Sequence, residues 1–292
     1  MVAVCLGLGI LEGGMRLAGF GPLPTSPVTR NQEILYQYTK FRPSRSLIWE
    51  LVPGWSGREG HGTVTISSQG LREREISLRP PAGRKRILCL GDSVTFGHWV
   101  EAWEAFPRRL EETLLGRGEP VQVINAGVPG YSPFQEMTWL HEKGWTYEPD
   151  LVVVAFVLND VVERFSTLAA YGGSHTVLGI DTTATLSPLN RFLHRTAFYH
   201  LVVSLLRFHA RRREIYSVRR LFEEPLTPAV ERAWRITEGE LDEMVQASRQ
   251  HHVPLLLVAF PFRFQISEHL PPKPQHRLAS WAAARQVPFL DL

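Results

Sequence analysis

Three short stretches carry the residue types that nucleophilic catalysis needs. Gly91-Asp92-Ser93-Val94-Thr95-Phe96-Gly97 places a serine hydroxyl beside a carboxylate. Asn125-Ala126-Gly127-Val128-Pro129-Gly130-Tyr131-Ser132 contains glycines, whose backbone N–H groups can approach a substrate closely because no side chain intervenes. Asn159-Asp160 supplies a side-chain amide. A serine attacks an ester carbonyl only where its hydroxyl stands free. The charge that then develops on the carbonyl oxygen needs N–H donors already aimed at it. Ser93 can give the hydroxyl and one backbone N–H, Gly130 a second N–H, and Asn159 a third from its amide. Each residue also has a plainer reading. Asp92 and Ser93 suit a helix cap, Gly130 a turn, and Asn159 an Asx-turn. Gly-Asp-Ser alone is a weak signal; three such stretches in order, each at the same kind of place in the fold, favour chemistry.

That place is the carboxyl end of a strand. The apolar runs over 86–90, 121–124, 150–157, 254–260 and 287–290 read as strands, and the run over 150–157 has no polar alternation, as in a parallel strand covered on both faces. Helical patterns lie between them, over 105–115, 134–143, 231–250 and 275–285. Alternating strands and helices predict an α/β fold with a central parallel sheet and helices on both faces. Ligands on such sheets bind outside the carboxyl ends of the strands. The three stretches follow the first, second and third strands.

These residues resemble the SGNH hydrolase superfamily, also called GDSL esterases and lipases. Gly91-Asp92-Ser93 is similar to its nucleophile block, Gly130 within 125–130 to its second block, and Asn159-Asp160 to its third. The resemblance implies a three-layer α/β/α, flavodoxin-like fold. It implies Ser93 as nucleophile, and an oxyanion hole made of the Ser93 and Gly130 N–H groups with the Asn159 amide. The reaction it implies is acyl transfer from a carboxylic ester to water, without a cofactor. The same residues would serve an O-acyltransferase or deacetylase of cell-surface polysaccharide, and a non-catalytic binding protein could keep the fold. Two departures stand out. The third block usually reads Gly-x-Asn-Asp, and here it is Val157-Leu158-Asn159-Asp160. The fourth block, Asp-x-x-His after the last strand, is absent from a chain that ends at Asp291-Leu292. The catalytic Asp and His are therefore expected beyond residue 292, and the chain reads as a fragment truncated at both ends.

The composition excludes other classes. With 44% hydrophobic and 21% charged residues among 292, the chain is neither disordered nor a multi-span membrane protein. Two cysteines, Cys5 and Cys89, cannot build a disulfide scaffold or a cysteine-rich zinc module. A net charge of +3 does not argue for nucleic acid. No Gly-x-Gly-x-x-Gly or Gly-Lys-Ser/Thr supports nucleotide binding, and no histidine spacing supports a metal. His98 is near Ser93 in sequence, but five positions on it need not point back, and it reads as a surface loop residue rather than a base. The expectation is that no imidazole lies within hydrogen-bond reach of the Ser93 hydroxyl in residues 1–292.

The remaining regions concern location. Residues 1–20 begin apolar, are interrupted by Glu12 and Arg16, and are followed by Pro22, Pro24 and Pro27. They read as the end of an N-terminal membrane anchor, with an extracytoplasmic, bacterial-type enzyme attached. Residues 21–85 read as an extension and linker, with one short strand pair suggested by the alternation Thr63-Val64-Thr65-Ile66 before Gly70, closing with Pro80-Pro81-Ala82-Gly83. Ser68-Gln69-Gly70-Leu71-Arg72 within it looks like the leader of membrane-anchored superfamily members. Residues 86–292 read as the hydrolase domain, with an insertion over about 161–230. Arg207, Arg211, Arg212, Arg213, Arg219 and Arg220 in that insertion read as a solvated helix face, or as a membrane-surface helix if the anchor is real.

Overall fold

The computed structural model describes residues 40–60, 62–162 and 218–292, with residues 11–14, 16–17, 176–177, 180–181 and 196. Most of the expected anchor over 1–20 and most of the insertion over 161–230 lie outside the described residues. Among the described residues no helix is long and apolar enough to cross a membrane. The chain divides into two compact units, Met1–Thr39 with Phe165–Ile215, and Lys40–Arg164 with Tyr216–Leu292. In the first, the described residues include a helical turn over 11–14 and a two-residue antiparallel pairing of Thr176–Val177 with Ile180–Asp181.

The second unit begins with two antiparallel hairpins, β1 (Phe41–Ser44) with β2 (Ile48–Leu51) and β3 (Ser56–Glu59) with β4 (Gly62–Thr65). The sheet follows. Its strands are β5 (Lys85–Gly91), β6 (Val121–Asn125), β7 (Leu151–Val157), β8 (Leu255–Phe260) and β9 (Phe289–Asp291). They lie in the order β9-β8-β7-β5-β6, all parallel. Counted along the chain this is 2-1-3-4-5, the flavodoxin-like order. The connections run one way from the first strand and the other way from the third. The crevice of such a sheet therefore opens between the carboxyl ends of β5 and β7.

Period-two alternation assigns each strand residue to a face. Ile87, Cys89, Val121, Val123, Val153 and Val258 form a buried cluster on one face. Phe106, Leu110 and Leu114 of α2 (Phe106–Gly116) cover it, and the Phe106 and Phe260 rings lie 5.1 Å apart. On the other face Phe156 stacks with Trp234 of α5 (Pro228–Gln250), ring centroids 6.4 Å apart. The helix α3 (Pro133–Glu142) packs against α5. The three layers are thus in place. The short α1 (Ser93–Phe96) follows β5, α4 (Asn159–Val162) follows β7, and α6 (Arg263–Ser267) and α7 (Lys273–Ala284) separate β8 from β9.

The compact unit that holds the sheet starts at Lys40, so it includes residues 40–85 of the stretch read as extension and linker, while 21–39 lie outside the described residues. Arg86, fully buried on β5, ties 77–79 of it to the sheet. Its guanidinium donates to the carbonyls of Ser77 and Arg79 at 3.0 Å each, and to those of Leu78 and Tyr147 and the Gln122 side chain. A charge taken out of water is tolerable only where its donors are satisfied. Here the backbone of 77–79 supplies the acceptors.

Candidate active site

Crowding at the tip of β5 dictates a glycine. A Cβ on Gly91 would stand 2.1 Å from Thr95 Oγ1 and 3.0 Å from the Ala155 carbonyl. The chain turns there, and Asp92 caps α1 by accepting from the Val94 N–H at 2.8 Å. Ser93 is the first residue of that helix, half-buried, with Val94 exposed beside it. The loop after β6 runs against this turn. The Val128 N–H donates to the Gly91 carbonyl at 3.1 Å, and a Cβ on Gly127 would meet the Phe96 nitrogen at 2.3 Å. Gly127 thus allows a backbone approach that any side chain would block. The loop then reaches Gly130, whose φ of 80° is a left-handed conformation that suits glycine. Ser132 and Gln135 form a capping box, with Pro133 in the first turn of α3.

Asp92 is the hub. Its Oδ2 accepts from the Asn159 amide at 3.0 Å and from the Ser93 hydroxyl at 3.4 Å, so one carboxylate oxygen ties the first strand end to the third. The Asn159 Nδ2 has a second hydrogen left for another acceptor. Among the described residues, no group accepts from the N–H of Ser93 or of Gly130. Asp160 closes its own turn: its Oδ2 accepts from the Val157 N–H at 2.9 Å. The structure therefore joins Ser93 and Asn159 through Asp92 at the switch point of the sheet, and places Gly130 on the loop packed alongside.

Asp92 is 1% exposed. Burial pushes its carboxyl up, and the donors Asn159, Val94 and Ser93 oppose that. A second carboxylate faces the same interior. Glu136 on α3 is 1% exposed, and neither of its oxygens has a hydrogen-bond partner among the described residues. Burial, reinforced by the Asp92 charge, drives its pKa well up. Of the two, Asp92 has the donors that stabilise an anion, whereas burial and the Asp92 charge favour the neutral form of Glu136.

The Ser93 hydroxyl bonds to Asp92 and no described imidazole bonds to it. His98 differs from the surface residue that the sequence suggests. Its ring is about three-quarters buried, and its Nδ1 lies 3.2 Å from Glu59 Oε2. Sequence reasoning missed Glu59, Glu136 and the other buried charges of this region, Lys40 and Arg72. No spacing marks them, since a lone Lys or Glu reads as surface. Among the described residues no group of His, Cys, Asp or Glu could hold a metal ion.

A sequence model of the GDSL-like lipase/acylhydrolase family matches residues 89–292, from within β5 to the last residue. An arylesterase of Vibrio mimicus is 30% identical over 81 residues, a stretch that spans 28% of this chain and 40% of that enzyme. Among solved structures, that of TesA aligns with a TM-score of 0.41 at 13% identity, covering 70% of this chain and 77% of its own. The SGNH-hydrolase family esterase AlinE4 aligns with a TM-score of 0.39 at 15% identity, covering 72% and 77%.

Proposed function

The chain belongs to the GDSL-like lipase/acylhydrolase family, and from that premise we propose that it hydrolyses a carboxylic ester through an acyl-enzyme on Ser93. The observation that carries this reading is the bonding at Asp92. Its carboxylate orients the Ser93 hydroxyl and the Asn159 amide together, beside two backbone N–H groups without acceptors among the described residues. In the first step Ser93 Oγ bonds to the carbonyl carbon and gives its proton to a base. The resemblance assigns that base to the His of an Asp-x-x-His block after the last strand. The carbonyl oxygen becomes an oxyanion, held by the Ser93 and Gly130 N–H groups and the free N–H of Asn159. The C–O bond to the leaving alcohol then breaks, and the base returns the proton to that alcohol. Water repeats the sequence on the acyl-enzyme and releases the acid. The substrate class is a carboxylic ester; the arylesterase relative supports a small activated ester as the probe.

The test is Ser93→Ala in the purified full-length protein, assayed on p-nitrophenyl acetate. Loss of all but residual hydrolysis is expected, because binding and oxyanion stabilisation alone leave only a small remainder in serine hydrolases. Retention of most of the wild-type rate would remove Ser93 from the mechanism.

A further inference from the structure

The Gly130 donor is gripped from behind by a residue far away in sequence. A trans peptide is planar, with its C=O and N–H pointing in opposite directions. The N–H of Gly130 shares a peptide plane with the carbonyl of Pro129. Whatever holds that carbonyl therefore aims that N–H. The holder is Trp49 on β2, 2% exposed, whose indole Nε1 donates to the Pro129 carbonyl at 3.3 Å. The residue on the far side of Gly130 is tied to the same strand. The Tyr131 hydroxyl donates to the Trp49 carbonyl at 2.8 Å, and the two rings lie 5.9 Å apart. Gly130 has the backbone freedom of a glycine in a left-handed conformation, so it cannot orient its own N–H.

The Ser93 turn has a matching grip from the same part of the chain. Arg72, fully buried, donates to the carbonyls of Phe96, at 2.8 Å, Gly97 and Val100. The first two belong to the end of α1, where a short helix leaves its carbonyls without internal donors. The Arg72 guanidinium lies 4.8 Å from the centre of the Phe96 ring, and Lys40 Nζ lies 4.7 Å from it.

We propose that Trp49 is a positioning residue that aims the Gly130 N–H at the oxyanion, with Tyr131 completing the clasp. The proposal rests on reading Gly130 as an oxyanion donor. It gives the hairpin that carries Trp49 a role in the reaction through the Pro129 carbonyl. An oxyanion donor acts only within about 2.7–3.1 Å of the developing charge. Misplacement by about 1 Å can cost about 10²-fold in rate.

Trp49→Phe removes the indole donor and keeps an aromatic ring. Tyr131→Phe removes one oxygen and loosens the clasp. The measurements are kcat and KM on p-nitrophenyl acetate, the melting temperature, and the inhibition constant of a phenylboronic acid, whose tetrahedral adduct mimics the intermediate. Trp49→Phe is expected to lower kcat about tenfold or more, to leave KM within about twofold, and to weaken the boronate by the same factor as kcat. Tyr131→Phe is expected to do the same to a smaller degree at an unchanged melting temperature. Wild-type kcat and boronate affinity in a folded Trp49→Phe protein would overturn the proposal. If Trp49→Phe does not fold, Tyr131→Phe decides, and wild-type values there overturn it. Ser93→Ala separates this failure from that of the functional reading. An active Ser93→Ala protein defeats the serine mechanism, whereas an inactive one beside a fully active Trp49→Phe defeats only the positioning role.

Discussion

Wild-type stability should rise with pH above about 8, and replacing Lys40 by methionine should abolish that rise. Lys40 and Glu59 form an ion pair in which both side chains are about 1% exposed or less. Burial pulls the lysine down from 10.5 to about 8, against the attraction of Glu59. Burial pushes the Glu59 carboxyl up, but His98 and Lys40 outweigh it and hold Glu59 below its ordinary value. A lysine whose pKa is lowered on folding is held less well as a cation in the fold than in water, at about 1.4 kcal/mol per unit. Between pH 8 and 10.5 the unfolded chain keeps the lysine proton and the folded chain has lost it. The unfolded state thus binds more protons, and wild-type stability rises by roughly 3 kcal/mol across this window. Methionine is uncharged at every pH, so Lys40→Met lacks that rise. It should be more stable than wild type at pH 7 by up to roughly 3 kcal/mol, and the difference should close toward pH 10.5, as expected where an apolar group replaces a buried charge. Urea titrations at pH 7, 8, 9 and 10, read as midpoint times slope, measure the difference. A difference that stays constant with pH, or a variant less stable than wild type at pH 7, would refute the account of this pair.

Three further outcomes are expected. Asn159→Ala should lower kcat about 10²–10³-fold on p-nitrophenyl acetate with little change in KM; a change confined to KM would make Asn159 a wall of the pocket. Glu136→Met should stabilise the fold at pH 8 by about 1–3 kcal/mol, since it removes an unpartnered buried carboxyl. The raised pKa of Glu136 means that its stability contribution is intact below the unfolded value near 4.5 and is lost as pH rises. The advantage of the variant should therefore grow from pH 5 to pH 8 in denaturant titrations, and a shrinking advantage would contradict a protonated Glu136. Gly127→Ala should lower kcat and destabilise together, because its Cβ would meet the backbone of α1 at 2.3 Å, and circular dichroism melting with the esterase assay reads both.

The sheet was legible because its strands obey a rule that sequence displays directly. A parallel strand covered on both faces is a continuous apolar run. The runs at β5 and β7 announced strands within a residue or two of their observed ends. Once the strands are placed, chain topology says where a site must be, so Ser93, Gly130 and Asn159 could be picked from residue type and position alone. What the sequence did not display is the set of contacts that aim them. Of the four-residue strands over 41–65, only the alternation at Thr63-Val64-Thr65-Ile66 signals a strand; the others are punctuated by glycine and proline and too short for a periodic signal. The stretch thus reads as linker.

The residues that lock this region to the site also defeat pattern reading for a physical reason. Lys40, Glu59 and Arg72 are charged, and composition assigns such residues to the surface. They are buried here because each finds a partner from a distant part of the chain: Lys40 its Glu59, Arg72 the carbonyls that end α1. Partners nineteen to twenty-eight positions apart leave no local trace. Trp49 poses the same difficulty in apolar form. A tryptophan in a short hairpin is expected to pack, and nothing at position 49 announces that its N–H will meet the carbonyl of residue 129. Sequence therefore exposes the groups that do chemistry, since type and strand end identify them. It conceals the groups that orient them, since those are recognised only by what they touch.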